Sequence, residues 1–372
     1  MSYIAIKGGE QAIAGAAKAL EYLRCRGAEG EEVLAVDQIQ NQLWALHSRV
    51  MSEGGIYDPE LVSLAIKQSA GDSFEAVYYL RAYRSTRPRL GQTHAIRTDQ
   101  MRVTRRISSA FKDIPGGQSL GPTPDYSQRL FKFELLDETN DSFRRKLADI
   151  LKEDYDISEI PDTYPKVVDF LRQEGMLKAR QASTGDAFDI TREPLVFPVP
   201  RSAGLAVMSR AETGSILALA YSNMRGYGDV HPTIAELRVG YVPIAYQHPE
   251  SKKWIEAGEV LMMTECEIVA SHEIDPESGR PYFTLGYGAC LGHNEAKAIS
   301  MAILDRSMEH GKTHGVQHPS ENPEYVLMHI DSIDSMGFAI HYKMPHYVTF
   351  ESDIDRLEKS QNAIDKESKQ ST

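Results

Sequence analysis

The chain has 372 residues, of which 41% are hydrophobic and 25% are charged, and this composition is typical of a soluble globular protein. A net charge of −12 argues against nucleic-acid binding, because nucleic acid is itself a polyanion. No apolar run approaches the roughly 18 residues of a membrane span, and no signal-like segment begins the chain. We therefore expect a cytoplasmic protein without a membrane partner.

The first hundred residues predict a compact domain of short amphipathic helices. Asp37 is a candidate N-cap for a helix that ends at Gly54. The next helix is expected to begin with Asp58 as its cap and Pro59 at its first position.

A basic segment at residues 81–112 interrupts this otherwise acidic chain, with eight arginines and one lysine against the single acid Asp99. Such a concentration of cations is expected to attract an anion or an acidic partner surface. The alternative is that these arginines pair with the protein's own carboxylates.

Residues 111–126 contain three prolines and three glycines, so we predict a loop there. Gly116 and Gly117 would let backbone amides approach a phosphate group, with Lys112 beside them. The alternative is a turn-rich connector that binds nothing.

From about residue 185 strands alternate with helices, which predicts an α+β fold with a mixed, mainly antiparallel sheet. The strand candidates are "AELRVGYVPIAY", "GEVLMMTECEIVA" and "RPYFTLGYGACLG". The predicted division of the chain is a helical domain at 1–100, a basic segment with a loop and helices at 101–184, an α+β domain at 185–351 and a polar, disordered tail at 352–372.

The segment "GYGACLGHNEAKA" sets glycines at the end of a strand, just before a helix capped by Asn294. Its spacing is G-x-G-x-x-x-G, whereas the dinucleotide fingerprint is G-x-G-x-x-G followed by an acid further along the chain. We therefore interpret these glycines as a sign of tight packing between strand and helix.

The segment "RGYGDVHPTIAELRVG" holds the densest mixture of polar groups in the chain. Asp229, His231 and Glu236 together offer carboxylates and an imidazole, and arginines flank them. The alternative is a polar loop followed by a strand that exposes Glu236 and Arg238.

Six of the twelve histidines fall between residues 310 and 346. His310, His314 and His318 lie among glycines, so we expect a solvated loop there. The segment "HYKMPHY" differs, because Pro345 should bend the chain and bring His341 and His346 to one side, where they could chelate a divalent ion such as zinc. The alternative is a pair of packed histidines in an edge strand.

Scattered cysteines limit the redox chemistry that this chain can carry. Cys25, Cys266 and Cys290 form no C-x-x-C pair. We expect free thiols in a reducing compartment and no iron–sulfur cluster held by this chain alone.

Several of these segments together resemble one known family. "YDPELVSLAIKQSAGD", "MRVTRRISSAFKDIPGGQSLGPTPDY", "YGDVHPTIAELRVG" and "GFAIHYKMPHYVTF" are similar to the PhnI subunit of bacterial carbon–phosphorus lyase. The similarity runs in order from residue 3 to about residue 351.

This resemblance implies a subunit of a symmetric core complex with subunits G, H and J, with which the ABC-type subunits K and L associate. It implies a reaction in which an alkylphosphonate displaces adenine from ATP, giving ribose 1-alkylphosphonate 5-triphosphate, and a purine nucleosidase activity of the subunit alone. It also implies that His341 and His346 hold a divalent metal, zinc foremost, at the boundary with subunit J, which carries the iron–sulfur cluster.

The residues of this chain supply candidates for that chemistry. Asp229, His231 and Glu236 are the candidates for stabilising the ribose cation and for protonating adenine. The candidates for binding the triphosphate are basic or glycine residues of the basic segment and its loop: Arg102, Arg105, Arg106, Lys112, Gly116, Gly117 and Arg129. A non-catalytic scaffold that organises its partners is the alternative function.

Overall fold

A computed structural model describes residues 9–27, 29–30, 32–153, 161, 164–179, 187–227 and 231–370 of the chain. The chain divides into two compact units, residues 1–331 and residues 332–372. The first unit combines helices with an antiparallel sheet, and the predicted α+β class is confirmed.

Five helices begin the first unit, in agreement with the helical pattern of the first hundred residues. They are α1 (Glu10–Arg24), α2 (Val36–Gln42), α3 (Trp44–Gly54), α4 (Pro59–Gln68) and α5 (Ser73–Ser85). The predicted start of α4 is confirmed, since the backbone N–H of Leu61 donates to the Asp58 carboxylate at 3.0 Å. Asp37 is not a cap, because α2 already begins at Val36.

Later helices of the first unit follow the loop or alternate with strands. They are α6 (Asn140–Ile150), α7 (Val167–Gln173), α8 (Arg201–Ser209), α9 (Thr213–Ser222), α10 (Glu295–His314) and α11 (Pro323–Met328). Asn294 caps α10 as predicted, since its side-chain oxygen accepts from the backbone N–H of Lys297 at 3.1 Å. No described helix combines the length and apolar composition that crossing a membrane requires.

The sheet has four antiparallel strands in the order β1-β2-β3-β4. They are β1 (Arg102–Ile107), β2 (Thr233–Gln247), β3 (Trp254–Ile274) and β4 (Pro281–Leu291). Strands β2 to β4 match the predicted strands, whereas β1 arises from the basic segment, which the sequence pattern did not identify as a strand. Because β1 pairs with β2, the predicted segment 101–184 shares a sheet with the predicted domain 185–351.

One face of the sheet is apolar and packs against helices. Leu237 of β2 lies opposite Cys266 of β3, and both are fully buried. Their side chains belong to the largest hydrophobic core of the described residues, which also contains buried residues of α8, α9 and α10. Side chains alternate between the two faces of a strand, so the neighbouring positions point to the opposite side.

Two glycines of β4 allow α10 to approach this apolar face closely. A Cβ atom at Gly286 would lie 2.1 Å from the carbonyl oxygen of Ala302, and one at Gly288 would lie 2.0 Å from that of Ala298. No real Cβ makes contacts this short, so only glycine fits. The interpretation of these glycines as packing residues is confirmed.

The opposite face of the sheet buries charge. Glu236 of β2 lies opposite Glu267 of β3, and Arg238 of β2 lies between Arg106 of β1 and Glu265 of β3. All five side chains are buried. The predicted alternative of an exposed Glu236 and Arg238 is therefore wrong.

Helix α10 extends into the histidine-rich segment, where the glycines suggested a loop. The helix continues through Gly311. A Cβ at this position would lie 2.5 Å from the backbone oxygen of Glu321, so the missing side chain makes room for that neighbouring segment. It ends at His314, before Gly315, whose φ of +85° is left-handed. The loop prediction is therefore wrong for His310 and His314.

The second unit consists of helices α12 (Ser332–Lys343) and α13 (Tyr347–Gln370). The break between them falls at Met344–His346, which confirms the predicted bend around Pro345, although helices flank the bend rather than a strand. Helix α13 occupies the region that the sequence pattern assigned to a disordered tail. Its charged side chains form short-range pairs such as Arg356 with Asp353.

We predict that Gly288→Ala destabilises the first unit by about 1–3 kcal/mol or more, because the added methyl group collides with the backbone of α10. Chemical denaturation monitored by circular dichroism measures this loss. Gly15→Ala is the control, since nothing lies within 4 Å of a Cβ at that position, and it should cause no loss. Equal stability of the two variants would contradict the packing role of Gly288.

Candidate functional site

A cavity of about 1210 Å³ opens beside the charged face of the sheet. Its wall contains equal numbers of basic and acidic side chains. The basic residues are Arg97, Lys166, Arg172, Lys178, Arg201 and Arg306. The acidic residues are Asp99, Asp169, Glu265, Glu267, Glu273 and Glu309. A cavity with this many charged groups is suited to a polar, ionic ligand.

Two carboxylates of β3 and one lysine form the buried end of the cavity. Lys166 Nζ donates to Glu265 Oε1 at 2.8 Å and to Glu267 Oε1 at 3.2 Å. Glu265 Oε1 also accepts from the Tyr287 hydroxyl at 2.9 Å and from the Thr98 hydroxyl at 2.7 Å. Three donors thus converge on a single oxygen of Glu265.

Glu267 has a different environment from Glu265, although the two side chains lie on the same face of one strand. Burial raises the pKa of Glu267 to about 7, and the attraction of Lys166 only partly offsets this effect. Burial also opposes the charge of Lys166, but the adjacent Glu267 and Glu265 outweigh it and raise the pKa of the lysine. The site therefore places Glu265 next to a carboxylate that exchanges a proton near neutral pH.

Each of these two carboxylates keeps one oxygen without a hydrogen-bond partner among the described residues. Glu265 Oε2 and Glu267 Oε2 are both buried in this way. Leaving a buried acceptor unsatisfied is costly, so such atoms indicate a place where a ligand or a proton completes the site.

Of the predicted catalytic residues, Glu236 lies in the first part of β2. Asp229 lies outside the described residues, and His231 is exposed just before the strand. Glu236 is buried, accepts from Arg106 Nε at 2.5 Å and from the backbone N–H of Val167 at 3.2 Å, and so links the sheet to α7. A catalytic role for these three residues stays a prediction.

Two of the predicted triphosphate ligands are buried and already paired with protein groups. Arg105 donates to Glu295 at 2.7 Å, to Asp125 at 2.5 Å and to the Leu120 carbonyl at 2.5 Å. Arg106 donates to Glu236 and to three backbone carbonyls, and neither arginine exposes its side chain. In this conformation both guanidinium groups are buried and held by acceptors of the protein itself, which favours the alternative of internal pairing.

The loop segment with Gly116 and Gly117 also accepts a hydrogen bond from Arg106. Gly117 directs its carbonyl oxygen to Arg106 Nη1 at 2.8 Å, and its N–H donates to the Ile114 carbonyl. Gly116 adopts a φ of +82° and Gly117 one of +76°, which only glycine adopts without strain. The predicted loop is confirmed, and the observed role of its carbonyls is to accept hydrogen bonds from a buried cation.

The remaining triphosphate candidates are exposed. Arg102 donates to Glu259 at 2.8 Å and stacks on the ring of Tyr241, with 4.0 Å from its guanidinium carbon to the ring centre. Lys112 is exposed on the loop, and Arg129 lies 4.0 Å from Asp125. The predicted phosphate contacts of these three residues stay predictions.

His341 and His346 approach each other across the bend in the second unit. Their Nε2 atoms lie 3.3 Å apart, and their rings stand nearly perpendicular, at 85°. Nδ1 of His346 lies 2.6 Å from the Met344 carbonyl oxygen, so this nitrogen carries the proton and Nε2 keeps its lone pair.

The pair fits a zinc ion. Two nitrogen ligands of a tetrahedral zinc lie about 3.3–3.4 Å apart when each bond is about 2.0–2.1 Å long, and the observed separation is 3.3 Å. The carbonyl contact of His346 is the kind of outer contact that orients a metal-binding imidazole. Two ligands do not complete a tetrahedral site, so further ligands have to come from elsewhere.

The cavity carboxylates were missed at the level of sequence, although a signal was present. The string "TECEIV" places two acids at alternate positions of a strand, so both point to one face. Two acids on one face of a strand segment that is otherwise rich in apolar residues are unusual in a buried sheet and predict a charged site there.

Comparison with known proteins assigns this chain to a family. A family model described as "Bacterial phosphonate metabolism protein (PhnI)" matches residues 2–364. The chain therefore belongs to the PhnI family. It is 60% identical to the "Putative C-P lyase subunit protein HtxH" of Stutzerimonas stutzeri, over 97% of this chain and 96% of that protein.

Two further relatives carry a more specific name, "Alpha-D-ribose 1-methylphosphonate 5-triphosphate synthase subunit PhnI". The protein of Escherichia coli (strain K12) is 43% identical over 97% of this chain and 99% of its own length. The protein of Rhizobium meliloti (strain 1021) is 37% identical over 98% of this chain and 96% of its own length.

We predict that Glu267→Gln makes the protein more stable than the parent above pH 7, by about 1–3 kcal/mol. The folded state keeps a proton on Glu267 up to about pH 7, whereas the unfolded state releases it near pH 4.5. The parent therefore loses stability as the pH rises through this window. Glutamine is neutral throughout and still offers an oxygen to Lys166. Urea denaturation at a series of pH values measures the difference.

Glu259→Gln is the matched control, because Glu259 lies on the same strand but is exposed. The stability of the Glu259→Gln variant relative to the parent should not rise between pH 4.5 and about 7. A parallel pH dependence of the parent and the Glu267 variant would show that Glu267 ionises normally.

Proposed function

We propose that this chain is a subunit of a carbon–phosphorus lyase complex in phosphonate catabolism, acting in the α-D-ribose 1-alkylphosphonate 5-triphosphate synthase reaction. The match to the PhnI family along nearly the whole chain, and the names of its relatives, support this assignment. The single structural observation that carries the mechanism is the carboxylate pair at the buried end of the cavity.

The proposed reaction exchanges one substituent at C1′ of ATP for another. An oxygen of the alkylphosphonate forms a bond to C1′ while the bond from C1′ to N9 of adenine breaks. The electron pair of the broken bond stays on adenine, which takes up a proton. With water in place of the phosphonate, the same steps give the nucleosidase reaction.

Glu265 and Glu267 are suited to the two charges that this reaction creates. The ribose gains cationic character as adenine departs, and the Glu265 carboxyl group would stabilise it electrostatically. Glu267, whose pKa lies near 7, can donate a proton to the departing adenine and recover it from solvent. This pair extends the set of catalytic candidates beyond Asp229, His231 and Glu236, which remain proposed participants.

The triphosphate would extend toward the more exposed basic residues of the cavity. Lys178 and Arg97 are both more than half exposed and can turn toward a ligand. Since the cavity wall holds six basic and six acidic side chains, it is neutral on balance. Bound divalent cations or basic residues of partner subunits would supply the remaining positive charge.

His341 and His346 form the proposed metal site of the second unit. An ion bound there would act as a Lewis acid or as a structural link. In either role this chain's part is to present two neutral imidazoles, and subunit J is the proposed source of further ligands.

Exposed apolar residues support assembly with other proteins, for which we propose the subunits G, H, J, K and L. In the first unit Leu130, Phe131 and Phe133 are 73%, 89% and 71% exposed. In the second unit Tyr347 and Val348 are 72% and 82% exposed. Clusters of this kind mark binding surfaces, and they are equally consistent with the alternative function, a non-catalytic scaffold.

We predict that Glu267→Gln slows adenine release from ATP by about 10²–10⁴-fold, because glutamine cannot donate a proton. Adenine is measured by chromatography, with the purified chain and with the reconstituted complex. Glu265→Gln should also slow release, while Glu259→Gln serves as the matched control and should not. Undiminished release by both cavity variants, each shown to be folded, would remove Glu265 and Glu267 from the mechanism and leave Asp229, His231 and Glu236 as the candidates.

We predict that replacing His341 and His346 together by alanine lowers the zinc content of the assembled complex by one ion per copy of this chain. Elemental analysis of the purified complex measures this. His329→Ala is the control, since this exposed histidine pairs with the Tyr325 carbonyl of α11 and its replacement should leave the zinc content unchanged. An unaltered zinc content in the double variant would contradict the proposed site.

A further inference from the structure

A second group of metal-binding side chains lies in the first unit, on the wall of the cavity. His310 and His314 occupy the last turn of α10, and Glu273 lies near the end of β3. One ligand atom from each side chain can be chosen so that all three lie within 4.8 Å of one another. Glu273 and His310 also line the cavity.

The spacing of the two histidines suits chelation. Residues four apart on a helix lie on the same face one turn apart, which is the arrangement of paired histidine ligands in many zinc sites. The two rings are stacked, with centres 4.3 Å apart. Because α10 continues through Gly311 to His314, both histidines project from one helix rather than from a flexible loop.

Neighbouring groups orient the candidate ligands. His314 Nδ1 lies 3.3 Å from the His310 carbonyl oxygen, which leaves its Nε2 for an ion. The Tyr282 hydroxyl donates to Glu273 Oε2 at 2.9 Å, which leaves Oε1 free to turn to an ion. Glu273 Oε1 already lies 3.8 Å from His310 Nδ1.

We propose that Glu273, His310 and His314 bind a divalent transition metal, zinc or a chemically similar ion, at the wall of the cavity. Two imidazoles with one carboxylate favour such ions over magnesium or calcium, which prefer oxygen ligands alone. Binding draws the three ligand atoms closer by rotation of the side chains. With three protein ligands, one coordination position remains for water or for an anionic oxygen of a molecule in the cavity.

A bare ion pair between a protonated His310 and Glu273 is the competing explanation of this arrangement. It requires neither His314 nor a metal. The two explanations therefore differ in what happens when His314 is replaced, and this residue is exposed, so its loss does not disturb the core.

The test uses the full chain carrying His341→Ala and His346→Ala, so that the pair in the second unit cannot bind metal. Titration with Zn²⁺ by calorimetry, and with Co²⁺ by visible absorption, should show one ion per chain. Adding His314→Ala or His310→Ala should weaken binding by about 10–100-fold or more. Zn²⁺ should also raise the melting temperature of the chain with an intact triad, and the added variants should reduce this rise.

Adding His329→Ala instead is the matched control and should leave the affinity unchanged. Absence of stoichiometric binding by the chain with an intact triad would overturn the proposal. Equal affinity with and without His314 would overturn it as well and would favour the ion pair. The outcome does not depend on the proposed synthase reaction, since metal binding is measured without substrate.

Discussion

The burial of charge on one face of the sheet is the constraint on which the first unit depends. Arg106 lies fully buried at the edge of this layer, where Glu236 and the carbonyls of the glycine-containing loop satisfy its donors. A buried guanidinium group without such partners would be strongly destabilising, so the loop and α7 have to close over it. The basic segment thus acts first as an internal structural element, and the charged layer continues across the sheet to Glu265 and Glu267.

The two faces of the sheet have different roles because of this layer. The apolar face packs against α8, α9 and α10, and α10 approaches so closely that Gly286 and Gly288 cannot carry side chains. The charged face is only partly covered, and it borders the cavity. A rigid support behind a polar site holds catalytic groups at fixed distances, and this arrangement is common in enzymes. The same burial that constrains the fold also raises the pKa of Glu267 toward neutrality.

The two histidine pairs show how local backbone structure determines the geometry of ligands. His341 and His346 are five residues apart, a spacing that does not bring side chains together on an unbroken helix, and the break at Pro345 does so. His310 and His314 are four apart and meet because the helix is not broken. Proline therefore predicted the first pair correctly, whereas Gly311 was misread as a helix breaker. A glycine is needed at this position because the backbone of Glu321 lies against it, and no local sequence pattern reveals this tertiary contact.

The sequence by itself determined the α+β class, the early helices, three of the four strands, the bend at Pro345 and the family, because these follow from local periodicity, from caps and from long matching segments. Only the tertiary structure decided which charges are buried. Arg105 and Arg106 resemble anion ligands in the sequence, yet their partners Glu295 and Glu236 lie more than a hundred residues away along the chain. The cavity with Glu265 and Glu267 is likewise formed by segments distant in sequence, since burial and charge pairing depend on the fold as a whole.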